Sequence, residues 1–97
     1  MTAVEGQNVV VVGAGASGSS AARLLHRKGA QVTVNEGRAV SPADSGPLGQ
    51  AVAELREAGI QVLTGSHSEA LLGQADLVVL SPGVPRQAWV AVLDARG

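Results

Sequence analysis

The run Asn8-Val-Val-Val-Val-Gly-Ala-Gly-Ala-Ser-Gly18 carries the clearest chemistry in the chain, because it joins an apolar segment to a G-x-G-x-x-G turn. In such a turn Gly13 permits the tight strand-to-helix reversal, Gly15 lets the backbone approach a pyrophosphate with no Cβ in the way, and Gly18 lets the helix pack close to the strand. The helix N-terminus then offers unpaired N–H groups and a partial positive charge to an anion. The glycine pattern alone is weak in a chain with 13 glycines among 97 residues, and the same turn also serves as a bare connection with no ligand. Its surroundings give it weight. Val9 to Val12 read as a strand buried on both faces. Gln31-Val-Thr-Val-Asn35 reads as a second strand with Glu36 just past its end. That acid follows the glycines by about twenty residues, the spacing at which a βαβ unit meets a ribose hydroxyl.

The elements that must position these residues follow from hydrophobic periodicity. Ser17, Ala21, Ala22, Leu24 and Leu25 form a small-residue and leucine face of a helix, with His26, Arg27, Lys28 and Gly29 at its C-terminus. Gly37 to Gly49 contains Pro42, Gly46 and Pro47 and reads as a surface loop, longer than most βα connections. Such a loop serves either a ligand or no purpose beyond connection, and residues 39–47 are compatible with both. Leu48, Ala51, Val52, Leu55 and Ala58 recur at helical spacing up to Gly59. Ile60 to Leu63 is a third strand. Ser68 is placed to cap a short helix over Glu69 to Leu72, and Asp76 to Leu80 is a fourth strand. Ser81-Pro-Gly-Val-Pro85 breaks the chain at that strand's carboxyl end, and Gln87 to Arg96 reads as a last helix.

This alternation predicts an α/β fold: a Rossmann-like, doubly wound parallel sheet in a three-layer α/β/α sandwich, one small domain over residues 1–97. Right-handed crossovers give a strand order of 3-2-1-4 with the switch point between the first and fourth strands. Ligands of such sheets bind outside the carboxyl ends of the strands. The glycine loop, Asn35 to Arg38 and Ser81 to Val84 all fall on that edge. A fifth strand would normally follow the last helix, so the chain reads as a piece of a longer polypeptide.

Composition narrows the function classes. Hydrophobic residues make up 45% of the chain, with one Trp and no Phe or Tyr, so the core is built from Val, Leu and Ala. A net charge of −1 and the lack of stacking aromatics give no footprint for nucleic acid. Without cysteine there is neither disulfide nor thiol chemistry, and two histidines make a metal site implausible. No apolar run is long enough to cross a membrane, and no signal pattern opens the chain. The expectation is a soluble cytoplasmic domain without a membrane partner. No catalytic residue is expected either, since Ser17 has no activating His or acid in recognisable relation to it. His67 reads as a polar turn residue.

Val10-Val-Val-Gly-Ala-Gly-Ala-Ser-Gly18, Val32-Thr-Val-Asn-Glu-Gly-Arg38, Gly65-Ser-His67 and Ser81-Pro-Gly-Val-Pro85, in this order and spacing, resemble the N-terminal domain of the Mur ligases of bacterial peptidoglycan synthesis. The resemblance spans essentially the whole chain. It implies that the domain binds the UDP part of UDP-N-acetylmuramoyl-L-alanine. Gly15, Ala16, Ser17 and Gly18 would hold the pyrophosphate, and Glu36, Gly37 and Arg38 the uracil, with the Arg38 guanidinium laid on the base. Ser81, Pro82 and Gly83 would close over the diphosphate. In that family ATP phosphorylates the substrate carboxylate and D-glutamate attacks the acyl phosphate to form an amide. The resemblance assigns ATP, Mg2+ and the catalytic groups to remaining domains of the same polypeptide. This chain has no G-x-x-x-x-G-K-[ST] loop, and Lys28 is its only lysine; it is expected to bind without a cofactor of its own. Read from the residues alone, the cradle also suits the NAD(P)-binding half of an oxidoreductase or a regulatory nucleotide-binding module.

Overall fold

The computed structural model describes residues 4–41, 43, 45–66 and 69–80. A run of valines has no polar face to offer water, so its stable place is the middle of a sheet covered on both sides. Strand β1 (Asn8–Val12) takes that place, with Val9 to Val12 all buried. Helix α1 (Ala16–Arg27) returns the chain to β2 (Gln31–Glu36), and α2 (Pro47–Glu57) returns it to β3 (Gln61–Thr64). The short α3 (Glu69–Gly73) leads to β4 (Leu77–Leu80). All pairings are parallel: Val11 lies beside Val34 of β2 and Val79 of β4, while Val34 lies beside Val62 of β3. The order β3-β2-β1-β4 is the one expected from the sequence.

Alternation along β1 divides the core. Val9 and Val11 face α1 and α2 and pack with Val34, Val62, Ala22 and Leu55 in the larger cluster. Val10 and Val12 face the other way, toward Ala75 and the partly buried Leu71 of α3, Val78 and Leu80. Helices therefore lie on both faces, and the sandwich has three layers.

Local rules set the element ends. Helices α1 and α2 stop in the same way, each with a glycine at positive φ, Gly29 at 94° and Gly59 at 89°. The next N–H then reaches back over the last turn, from Ala30 to Leu25 O at 3.1 Å and from Ile60 to Leu55 O at 3.0 Å. This is the Schellman arrangement, with a hydrophobic pair across it. Because the Ile60 N–H is spent there, β3 runs over Gln61–Thr64, one residue later than its apolar run indicates. Asp76 stands just before β4: its N–H donates to Asn8 O of β1 at 2.7 Å, and its side-chain carboxylate, in place of a backbone carbonyl, accepts from the Asn8 N–H at 2.9 Å. Pro47 belongs to α2 and not to the loop, since a first-turn residue has no use for an N–H.

In α1 the buried residues are Gly18, Ser19 and Ala22, with Leu25 half-buried behind them. Leu24, expected on the inward face, is 46% exposed, because the Gly18–Ala22–Leu25 stripe turns it to the flank. The helix expected over Gln87 to Arg96, and the Ser68 cap, lie outside the described residues. Leu55→Ala should cost about 3 kcal/mol, whereas Leu24→Ala should stay within about 0.5 kcal/mol, both read from urea unfolding. Equal losses would show that α1 presents a different face to the sheet.

Candidate functional site

At the carboxyl edge of the sheet the β1–β2 ladder runs one step past Val12, with the Gly13 N–H donating to Asn35 O at 2.9 Å. Gly13 then turns the chain with φ at 97°, a conformation that glycine alone adopts without strain. The next residue is held at both of its backbone groups. The Ala14 N–H donates to Glu36 Oε1 at 3.0 Å, and the Ala14 carbonyl accepts from the Ser19 hydroxyl at 3.0 Å. Both bonds are buried. Gly15 follows as the extended N-cap of α1, and its carbonyl accepts the first helical bond, from the Ser19 N–H at 2.8 Å.

The start of α1 is left open. No side chain caps it, and no acid lies in its first turn. The first N–H groups of a helix have no partner within the helix, so Ala16, Ser17 and Gly18 carry the positive end of its dipole. Gly15 sits at φ −67°, which any residue adopts, and a Cβ built on it meets nothing within 4 Å. Neither backbone nor packing requires glycine there. What the missing side chain keeps clear is the space directly over the loop.

Glu36 ends β2 as its last residue and is not beyond it. Only 4% exposed, it accepts four hydrogen bonds. The Ala14 N–H and Arg38 Nη2 reach Oε1 at 3.0 and 3.1 Å, and the Arg38 N–H and Nε reach Oε2 at 2.8 and 2.9 Å. Burial pushes the carboxyl toward its neutral form. That is the largest single influence, but the Arg38 side-chain bonds, the Ala14 and Arg38 backbone N–H groups and the guanidinium charge together outweigh it and bring the pKa from 4.5 down to about 2. The Arg38 pKa moves up in response to the same bonds and charge. Beyond its contacts with Glu36, the Arg38 side chain is 66% exposed. Asn35, fully buried, donates to Leu63 O at 3.4 Å and to Ser66 O at 2.8 Å, tying the end of β3 to that of β2.

A groove of about 460 Å³ opens between the start of α1 and α2, lined among others by Gly15, Ala16, Arg38 and Leu48. Arg23 and Glu54 bridge it at 2.7 Å. Of the residues singled out in the sequence, Gly15, Ala16 and Ser17 are exposed at the loop, Gly18 is buried, Arg38 lines the groove with Gly15 and Ala16, and Gly37 is half-buried next to it in the chain. Glu36 lies underneath. Ser81, Pro82 and Gly83 lie outside the described residues. Ser19 was not apparent as a site residue: Ser17 and Ser20 stand beside it in the same helix, and only its burial and its bond to the Ala14 carbonyl set it apart. Among the described residues no cluster of three or more His, Asp or Glu side chains is arranged to hold a metal. The arrangement is suited to holding an anion.

The architecture is that of Rossmann-like domains. Solved structures that share it include the A chain of dipicolinate synthase from Bacillus subtilis, with a TM-score of 0.64 and 21% identity over 82% of this chain and 24% of that one. Another is the putidaredoxin reductase–putidaredoxin complex, with a TM-score of 0.62 and 22% identity over 97% of this chain and 27% of that one. Residues 7–96 match the family model for the N-terminal domain of MurD-like Mur ligases, and the chain belongs to that family. UDP-N-acetylmuramoylalanine–D-glutamate ligase of Ligilactobacillus salivarius is 49% identical over 80 residues, and that of Macrococcus caseolyticus 44% identical over 81. The matches cover 82% and 84% of this chain but only 16% and 17% of those ligases.

The depressed pKa of Glu36 has a signed consequence. Its stabilisation is complete above pH 4.5 and is lost as the pH falls toward about 2. It amounts to about 2 kcal/mol once screening of the exposed Arg38 is allowed for. Chemical denaturation across that range should show this loss in the wild type and a flatter profile in Glu36→Gln. Identical profiles would mean that the carboxylate is not held as described.

Proposed function

We propose that this domain binds the UDP moiety of UDP-N-acetylmuramoyl-L-alanine, within an ATP-dependent ligase that adds D-glutamate to a peptidoglycan precursor in the cytoplasm. The observation that carries the reading is the fixed glycine loop, with an uncapped helix start beyond it and open space over Gly15. Membership of the MurD-like N-terminal family supports the choice of ligand. The pyrophosphate would lie on the N–H groups of Ala16, Ser17 and Gly18, with Gly15 beneath it. The uracil would lie at the end of β2, against Gly37 and the exposed plane of Arg38. Glu36 belongs to the same end of the site. Ser81, Pro82 and Gly83 would complete it from the fourth strand end. ATP and Mg2+ would be held by other domains of the ligase, and the task of this one is positioning: anchoring one end of a long substrate brings its carboxylate to the reacting phosphate.

Gly15→Val should leave the far-ultraviolet circular dichroism and unfolding midpoint near wild type, because the new side chain enters open space. It should abolish UDP binding by calorimetry. Unchanged affinity would place the ligand elsewhere. NMR titrations with UDP, UDP-N-acetylmuramoyl-L-alanine and NAD should shift Gly15 to Gly18 with the two uridine compounds. Shifts there with NAD alone would instead favour the cofactor half of an oxidoreductase.

A further inference from the structure

We propose that Glu36 is a positioning residue of this site: it fixes the glycine loop and Arg38 in binding geometry and makes no contact of its own with the bound nucleotide. The identity of the nucleotide rests on the UDP reading above, whereas the clamp does not. A carboxylate has about four lone-pair positions. Those of Glu36 are met by four donors between 2.8 and 3.1 Å. A ribose hydroxyl or a uracil N–H would have to displace one of them: either the Ala14 amide, which would be left buried without an acceptor at considerable cost, or an Arg38 donor, which would loosen the guanidinium from the carboxylate. The carboxylate is also enclosed, at 4% exposure, beneath the loop and not in the groove.

The division of labour follows. With the Ala14 N–H turned down onto Glu36, the anion is left with the N–H groups that begin α1. With Nε and Nη2 of Arg38 turned onto the same carboxylate, Nη1 and the flat face of the guanidinium remain for the base. Gly37 is held between two residues fixed by one side chain. Glu36 thus couples the pyrophosphate end of the site to the base end without touching either. A carboxylate whose only role is contact with the base or ribose makes a different forecast: its removal does not loosen the loop, so a bare pyrophosphate, relieved of a nearby negative charge, binds unchanged or tighter.

The test uses the whole chain in two arms. Without ligand, the Ala14 N–H and Arg38 Nε–H should give NMR signals shifted downfield and slow to exchange in the wild type. In Glu36→Gln the Arg38 signal should be lost to exchange and the Ala14 signal should move, because an amide has one acceptor oxygen and its NH2 opposes the guanidinium. With ligand, Glu36→Gln should weaken UDP and inorganic pyrophosphate alike, by about tenfold each. Arg38→Ala, which keeps the Ala14 bond, should weaken UDP and leave pyrophosphate unchanged. If Glu36→Gln weakens UDP but leaves pyrophosphate unchanged or tighter, the carboxylate touches the base or ribose and the proposal is wrong. Unaltered Ala14 and Arg38 signals in that variant overturn it as well. Should the wild type bind neither compound, the UDP reading falls, and the ligand-free arm still decides the clamp. Should Glu36→Gln not fold, Glu36→Asp keeps the charge, shortens the arm by one methylene and gives the same comparison.

Discussion

A buried carboxylate that accepts four hydrogen bonds holds the carboxyl edge of this sheet together. Unpaired, Glu36 would be expensive to bury, since a charge removed from water is tolerated only with its partners in place. Two of those partners are backbone N–H groups from different segments, one in the turn after β1 and one in the turn after β2. Neither segment can move without exposing the charge to a site that lacks a replacement donor. The Ser19 hydroxyl adds a second restraint, on the carbonyl of the same Ala14. A turn that glycine would otherwise leave loose is therefore fixed from the strand side and from the helix side.

The rest of the fold brings these groups to one place. Parallel pairing puts the ends of β1 and β2 side by side, Val12 opposite Asn35, so that the turns leaving them are neighbours. The crossovers through α1 and α2 lie on one face, where the Schellman endings fix how each helix hands the chain to the next strand. Asn35 extends the arrangement to β3 through its bonds to Leu63 and Ser66. The edge is thus a set of turns braced on one another by polar side chains that are themselves buried.

The architecture was legible because its signals are of long range in sequence and simple in kind. Four valines in a row, the glycine turn and the β–α alternation set the layers and the strand order. Element ends were less legible where a backbone group had already been claimed, as the Ile60 N–H is by Leu55. At the site, the positions of Gly15, Ala16 and Ser17 followed from the motif. The burial of Glu36 did not. An acid at the end of a second strand reads the same whether its oxygens face a ligand or a loop, and the difference lies in the Ala14 amide, a backbone group that no residue type announces. Ser19 was hidden for the same reason, since its acceptor is again a main-chain atom.

The bracing of Ala14 bears on rates as well as on affinity. A loop that must be ordered by its ligand slows association and spends part of the binding energy on its own immobilisation. Here the Gly13 N–H, both backbone groups of Ala14 and the Gly15 carbonyl are already bonded within the domain, and the first N–H groups of α1 face out. For an anion bound on the helix start, this loop would have no conformational step to complete. On the proposed reading, association would then be set by diffusion and charge, and discrimination between one phosphate compound and another would fall to how long each stays.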